Sequence, residues 1–207
     1  MTKKIIENTL KVSISKGNRK MGAIPSVSLP PIITCKNCSS CAKKCYAAKL
    51  ARIYKNTRDA WDRNYRIVCQ DRNAYFDQVA AAAMVSGFFR FHVSGDILDI
   101  DYLDRMCKTA RKCKNTQFLA FTKNYEDVNA YLASHKKPRN LHLIFSLPFD
   151  GARIDNPQNL PTAAVILRGS EPAPNYKICG GNCTECACRG VGCWELKNGE
   201  TIAFYEH

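Results

Sequence analysis

The sequence has no long hydrophobic run and comparatively few acidic residues. No stretch of its 207 residues approaches the roughly 20 apolar residues of a membrane-spanning helix, so we expect no membrane association. Residues 1–20 are charged at the start but lack a continuous apolar core and a small-residue cleavage site, which argues against a signal peptide. These absences predict a cytoplasmic protein.

The scarcity of acidic residues leaves a localised positive charge. The 31 Lys and Arg exceed the 18 Asp and Glu, for a net charge of +13. Residues 1–72 account for nearly all of the excess, with 16 basic against 4 acidic side chains, a net of +12. This segment predicts a polyanionic partner, such as nucleic acid or a phosphorylated cofactor. The alternative is a solvated helical face without a ligand.

Cysteine, in contrast, is abundant, at 12 residues. Because cytosolic thiols are kept reduced, this number favours metal binding over a disulfide framework. The cysteines form an early group with the spacing C-x2-C-x2-C-x3-C and a late group with C-x3-C-x2-C-x-C-x4-C. The early group comprises Cys35, Cys38, Cys41 and Cys45, and the late group Cys179, Cys183, Cys186, Cys188 and Cys193. Cys69, Cys107 and Cys113 lie in helical patterns and are interpreted as ordinary core or surface thiols.

Three kinds of metal site share parts of this spacing. The early group has the ferredoxin run, but Tyr46 replaces the following Pro and no second copy exists. Cys179, Cys183 and Cys186 resemble in spacing the three-cysteine motif of radical S-adenosylmethionine enzymes, although that motif follows the first barrel strand. Two C-x2-C pairs (35 with 38, 183 with 186) would suit a structural zinc. Nine thiols exceed the needs of one zinc, so an iron–sulfur cluster, most simply 4Fe-4S, is favoured. The predicted metal ligands are Cys35, Cys38, Cys41, Cys45, Cys179, Cys183, Cys186 and Cys193.

Apolar runs alternate with helical patterns in the middle of the chain. Three strand–helix units are predicted from residue 88 onwards, the third beginning with a strand at 141–147, and further strands are predicted at 162–168 and 201–206. Such units indicate an α/β protein with a parallel sheet, either open or an incomplete TIM-like barrel. We expect one domain over 1–207: an extended segment (1–34), a cysteine-rich helical part (35–87), the βα units (88–168), and a cysteine-rich loop with a final strand (169–207).

The early cysteines adjoin helical patterns. Ser40 is a candidate cap for a helix through Cys41 and Cys45 to about Tyr54, which would place both thiols on one face. Thr57 is a candidate cap for a second helix, and a third follows at about 73–86.

Polar side chains gather where the predicted strands end. In parallel α/β folds ligands bind beyond the carboxyl ends of the strands. The candidates are His92, Ser94, Asp96, Thr122, Lys123 and Ser146. His92 and Ser94 are expected on one face, Gly95 permits close backbone approach, Asp96 is a candidate base or cofactor ligand, and Lys123 a candidate anion ligand. The alternative is that Ser94 and Asp96 cap the next helix.

Five stretches together resemble the phage gene-product-88-like family: NRKMGAIPSVSLPP, CAKKCYA, FHVSGD, FTKNYE and CGGNC…CW. They keep their order from residue 18 to 194. More distantly, a cysteine segment ending in CYA before strand–helix units is similar to partial barrels of the radical S-adenosylmethionine type. The resemblance implies a phage origin, hence the host cytoplasm, and joint use of both cysteine groups. It leaves the choice between Cys188 and Cys193 open.

Two functions follow from these features. The first is an iron–sulfur protein whose cluster is held by both cysteine groups, with redox or S-adenosylmethionine-dependent chemistry at the strand ends. The catalytic candidates there are His92, Ser94, Asp96 and Lys123. The candidates for binding the cofactor are Ser94, Gly95, Asp96 and Lys123. The second is a nucleic-acid-binding phage protein with a structural zinc. The sequence leaves the reaction and the oligomeric state open.

Overall fold

The computed structural model describes residues 11–39 and 41–206, and the predictions for residues 5–10 and for the Ser40 cap lie outside this part. The strands are β1 (Ile14–Ser15), β2 (Ser26–Val27), β3 (Phe88–Phe91), β4 (Gln117–Thr122), β5 (Leu141–Ser146), β6 (Thr162–Ile166), β7 (Lys177–Ile178) and β8 (Thr201–Tyr205). The helices are α1 (Tyr46–Ile53), α2 (Lys55–Gln70), α3 (Arg72–Met84), α4 (Ile100–Lys112), α5 (Tyr125–Ser134) and α6 (Cys183–Arg189).

The strands form one mostly parallel sheet in the order β1-β2-β3-β4-β5-β6-β8-β7. Among the strands of the described residues, β1 alone pairs antiparallel, with β2. The longest register runs from the pair Phe118–Leu141 to the pair Thr122–Phe145, between β4 and β5. Within the described residues, the outermost strands β1 and β7 do not pair with each other. The predicted α/β fold with a mostly parallel sheet is confirmed. Over the described residues the sheet is open and does not close into a barrel.

Strand alternation divides the hydrophobic residues between the two faces of the sheet. In β4, Phe118 and Ala120 join the larger core with helices α2 to α5, whereas Leu119 and Phe121 belong to the opposite face. That second face is covered by a smaller cluster that includes Met21, Ile144 and Trp194. The tail therefore packs against the face that the helices leave open.

Helices α3, α4 and α5 each begin at a short polar side chain that caps the first turn. Asp71 accepts a hydrogen bond from the Ala74 amide, and Asp99 accepts one from the Tyr102 amide, both at 2.9 Å. Asn124 caps α5 in the same way. The alternative in which Ser94 and Asp96 cap the helix after β3 is therefore wrong, because Asp99 does so.

The predicted helix from Cys41 to Tyr54 is interrupted. A short 3-10 turn (Ala42–Lys44) ends at Cys45, whose φ of −65° and ψ of 110° are extended, and α1 begins only at Tyr46. Cys41 and Cys45 therefore do not share a helix face. The next helix begins at Lys55, two residues before the predicted cap at Thr57, because Tyr54 is already extended.

The cysteine-rich tail is more ordered than the predicted loop. It contains β7, the short helix α6 and a 3-10 turn at Gly192–Trp194. Asn182 caps α6 by accepting from the Glu185 amide at 3.2 Å, and Gly190 ends it with a left-handed φ of 60°. Local capping residues thus order a segment with little hydrophobic periodicity.

Candidate functional site

The first thiol group (Cys35, Cys38, Cys41 and Cys45) lies in the loop between β2 and α1. Turns fold this loop on itself: the Cys35 amide donates to the Ile32 carbonyl, and the Cys41 amide to the Cys38 carbonyl, both at 3.1 Å. The Cys45 sulfur caps α1 by accepting from the Ala48 amide at 3.5 Å. All four thiols are partly buried and none forms a disulfide.

These four sulfurs are electrostatic neighbours. Burial raises the pKa of Cys35 to about 11, and the nearby Asp96, Cys38 and Cys45 act in the same direction. Burial also raises the pKa of Cys41, where Lys123 opposes the effects of Cys45 and Cys38. These interactions show that the sulfurs of the first group are near one another, and a bound metal ion would favour their thiolate forms.

The second thiol group (Cys179, Cys183, Cys186 and Cys193) packs against the smaller core on the other face of the sheet. Burial raises the pKa of Cys193 to about 12, with Cys179, Cys183 and Cys186 as neighbours that add to the effect and Arg90 as one that opposes it. None of these thiols is in a disulfide. They form a second compact set.

Backbone groups crowd the sulfurs of the second group. The Gly181 amide donates to the Cys179 sulfur at 3.5 Å. A Cβ atom added at Gly192 or Gly180 would lie 3.3 Å or 3.5 Å from the Cys186 sulfur. Such amide donors and close backbone approaches are typical of the surroundings of metal-bound thiolates.

Cys188 differs from its neighbours. It lies two residues after Cys186 on α6 and is exposed, whereas Cys193 is partly buried beside the other thiols. Of the remaining cysteines, Cys107 and Cys113 are buried and Cys69 is exposed. Position therefore favours Cys193 over Cys188 as the fourth member of the second group.

Asp96 connects the ends of two strands. Its carboxylate accepts from the Ile97 amide at 2.7 Å and from the Lys123 amide at 2.9 Å. Burial raises its pKa, although hydrogen bonds from Thr122, Lys123 and Ile97 act against this. Asp96 is thus held between β3 and β4, next to the first thiol group.

The strand predicted to lead to His92 and Ser94 ends before it reaches either residue. β3 ends at Phe91, and His92 has a left-handed φ of 60°, so strand alternation no longer relates the two side chains. His92 Nε2 lies 2.9 Å from the Tyr102 hydroxyl, and burial lowers the pKa of His92 to about 3. Its Nδ1 and the Ser94 hydroxyl are buried without a partner in the described structure. These orphaned polar atoms lie in the same turn as Gly95.

Thr122 contributes its hydroxyl, which accepts from the Asn124 amide at 2.9 Å, whereas Lys123 and Ser146 contribute their carbonyl groups. The Lys123 carbonyl accepts from the Asn37 side chain at 2.7 Å, within the loop of the first thiol group. The Ser146 carbonyl accepts from the Tyr125 hydroxyl. The structure therefore brings the first thiol group, Asp96 and Lys123 together, whereas His92 is turned towards Tyr102 on α4.

Arg90 is a site residue that motif reading missed. Its guanidinium lies 4.9 Å from the centre of the Phe121 ring, and its Nε is buried without a hydrogen-bond partner in the described structure. Burial raises the pKa of Cys183 and that of Tyr46, and the positive charge of Arg90 acts against both shifts. The signal was an Arg that alternates with buried Phe89 and Phe91 in β3.

As it stands, no set of three or more His, Cys, Asp or Glu side chains in residues 11–39 and 41–206 is arranged to hold a metal ion. The number and chemistry of the donors nevertheless fit, since four thiolates are the usual ligand set of both zinc and iron–sulfur sites. Loading either set would therefore require its sulfurs to rearrange.

Comparison with known proteins identifies the family. The family model described as "Gene product 88" matches residues 2–195. The chain belongs to the gene product 88 family. The resemblance predicted from the five sequence stretches is thereby confirmed.

Among its relatives, this gene product 88 family member is 26% identical over 159 residues to the "Gene 88 protein" of Mycobacterium phage D29. The alignment covers 69% of this chain and 65% of the phage protein, so the chain spans a little under two thirds of that relative. No solved structure matches the chain. Within the described residues, none of the helices is both long and apolar enough to span a bilayer.

Proposed function

We propose that this gene product 88 family member is an iron–sulfur protein. The observation that supports it is the gathering of eight partly buried, unpaired thiols into two sets of four. Isolated core cysteines would not cluster in this way, and each set has the donors of a four-cysteine cluster. The amide donors near Cys45 and Cys179 are of the kind that stabilises cluster sulfur ligands.

The ligands would be Cys35, Cys38, Cys41 and Cys45 together with Cys179, Cys183, Cys186 and Cys193. A bound cluster would supply electron transfer or an open iron for a cofactor such as S-adenosylmethionine. The chain itself would contribute Lys123 and Asp96, which lie beside the first set at the strand ends. Lys123 is suited to an anionic substrate group, and the buried carboxyl of Asp96 to holding a proton.

The test is elemental analysis of protein purified without oxygen. Iron and acid-labile sulfide in matched amounts, with visible absorbance that dithionite bleaches, are expected. Zinc without sulfide would contradict the proposal and would make the sites structural. For iron-loaded protein, equilibrium dialysis with S-adenosylmethionine then tests the cofactor, and loss of retention with Lys123→Met is expected.

Nucleic-acid binding is a second candidate function, supported by exposed aromatics among basic side chains. Tyr46 and Tyr54, at the two ends of α1, are 52% and 56% exposed, and Lys49 and Arg52 lie on the same helix. Part of the basic charge is already neutralised, because Lys55 pairs with Asp59 and Arg72 with Asp99. Binding to single-stranded DNA that weakens with salt is expected, and a salt-independent affinity would exclude it.

A further inference from the structure

The two thiol groups are attached to different parts of the sheet. Trp194, in the segment of the second group, has its rings 5.0 Å from Phe88 and 6.2 Å from His142, near the starts of β3 and β5. The first group adjoins Asp96 and Lys123, which follow the carboxyl ends of β3 and β4. The segment of the second group is thus attached through Trp194 and the apolar cluster, whereas the loop of the first group is attached at the carboxyl edge of the sheet.

Where other thiols raise the pKa of a cysteine in either group, those thiols belong to its own group. The thiol neighbours of Cys193 are Cys179, Cys183 and Cys186. Those of Cys35 and Cys41 are Cys38 and Cys45. Ligands of one metal centre must lie around a common point, and the contacts of these thiols divide them between two places.

We propose that the chain holds two separate metal centres with different roles, which refines the iron–sulfur function proposed above. The second group forms a structural centre. The first group forms the reactive centre, where an anionic substrate would meet the metal at the strand ends. The centres would use Cys179, Cys183, Cys186 and Cys193, and Cys35, Cys38, Cys41 and Cys45, respectively.

Contacts around the second group connect distant parts of the chain. The Cys183 amide donates to the Lys20 carbonyl at 3.0 Å, and the Thr184 hydroxyl donates to the Met21 carbonyl at 2.9 Å. The Cys179 amide donates to the Ala203 carbonyl of β8 at 2.9 Å. A metal there would fasten the segment before β2, the tail and β8 together, which is the role of a structural centre.

The surroundings of the first group are polar, and some of their buried polar atoms lack hydrogen-bond partners within the described structure. Lys123 and Asp96 adjoin its thiols, and the nearby Ser94 hydroxyl and His92 Nδ1, each side chain 3% exposed, lack hydrogen-bond partners within the described structure. Buried polar atoms without partners in a native protein call for an explanation such as a bound ligand or water. A reactive centre at this edge would provide one.

Arg90 lies between the two groups. It is close enough to Cys183 and Cys193 to stabilise their thiolates, and it also interacts with the Tyr46 hydroxyl beside Cys45 and Cys35. Two four-thiolate centres in one small domain would repel each other. A cation between them reduces this cost, and no carboxylate in the described residues forms an ion pair with it.

The test counts metal in anaerobically purified full-length variants, measured as iron plus zinc. In the first variant, all four cysteines of the first group are replaced by Ser. It is expected to keep half of the metal and a cooperative thermal transition. Cys193→Ser is expected to lose the other half and to unfold at a lower temperature, and the exposed Cys188→Ser serves as its matched control, with metal unchanged.

Loss of all metal from the folded first variant would overturn the two-centre proposal and indicate a single shared centre. That result would leave the iron–sulfur function intact, because that function is tested separately by whether the wild-type protein contains iron with sulfide. Conversely, half-loss of zinc would support two centres and contradict the iron–sulfur function. If Cys193→Ser fails to fold, the metal content of the first variant alone decides.

Discussion

The two thiol groups contain the same number of cysteines but are held in place by different forces. The second group packs on an apolar cluster in which Trp194 is 3% exposed and Met21 is 2% exposed. Burial of such side chains is worth several kcal/mol and is not screened by salt. The second group is therefore attached as part of a hydrophobic core.

The first group is attached mainly by polar contacts. The Asn37 side chain donates to the Lys123 carbonyl, Lys36 pairs with Asp127, and the Tyr46 hydroxyl donates to the Val93 carbonyl. Exposed ion pairs of this kind contribute less than about 1 kcal/mol each and weaken in salt. Loops that bind reactants are commonly drawn from such weakly stabilised parts of a fold. The comparison thus matches the assignment of a structural and a reactive group.

Trp194→Ala tests the apolar attachment of the second group, and the largest effect is expected here. Removing this buried indole should lower the free energy of unfolding by about 3–5 kcal/mol, since it leaves a cavity against Phe88. Denaturant unfolding measures the change. Trp61→Ala, at a half-buried position on α2, is the control and should cost less. Equal losses in the two variants would contradict the core role of Trp194.

Gly95→Ala tests the backbone on which the first group rests. Gly95 has a φ of +79°, and an added Cβ would lie 2.7 Å from both Leu29 Cβ and Thr34 Oγ1. Strain and overlap together should cost about 3 kcal/mol of unfolding free energy. Gly87→Ala is the matched control, because nothing lies within 4 Å of its Cβ position. A loss below about 1 kcal/mol at Gly95 would indicate that the turn relaxes freely.

His92 should make stability depend on pH at the first group's edge. Because its pKa falls from an ordinary value near 6.5 to about 3 in the folded state, the unfolded chain binds the proton first on acidification. The associated stability is present above pH 6.5 and decreases towards pH 3, by roughly 2 kcal/mol at pH 5. His92→Asn, which tolerates the left-handed φ, should flatten this slope in unfolding experiments between pH 7 and 5.

Tyr102→Phe is the control for that slope. It removes the hydroxyl that meets His92 Nε2 but retains the imidazole and its burial. The pH dependence should therefore persist in this variant, although its stability at pH 7 is lower. A slope unchanged in His92→Asn would show that other groups cause the acid sensitivity.

Lys36→Met probes the polar attachment of the first group, and the smallest effect is expected. Its ion pair with Asp127 is partly exposed, with side-chain exposures of 44% and 13%. The loss of unfolding free energy should be at most about 1 kcal/mol and should vanish in 1 M salt. The Trp194→Ala loss should persist in the same salt. A salt-independent Lys36 effect would remove the distinction between the two groups.

Strong local patterns predicted most of the sheet and its helices. The strand predicted over FFRFHV and the helix predicted at about 73–86 correspond to β3 and α3 within one or two residues at each end. The helix at Cys41 was wrong because the Cys45 sulfur acts as an N-cap, a role that cysteine seldom signals in sequence. His92 was misplaced because a left-handed residue ended the strand alternation early.

The sequence by itself determined the family, the parallel α/β class and the two clusters of cysteine, since each follows from spacing along the chain. Only the tertiary structure decided that the sheet is open, that Arg90 lies near both groups, and that the sulfurs gather in two places. These features depend on where each loop packs, that is, at which end of the strands and on which face of the sheet. That choice is made by distant packing, here through Trp194 and the carboxylate of Asp96.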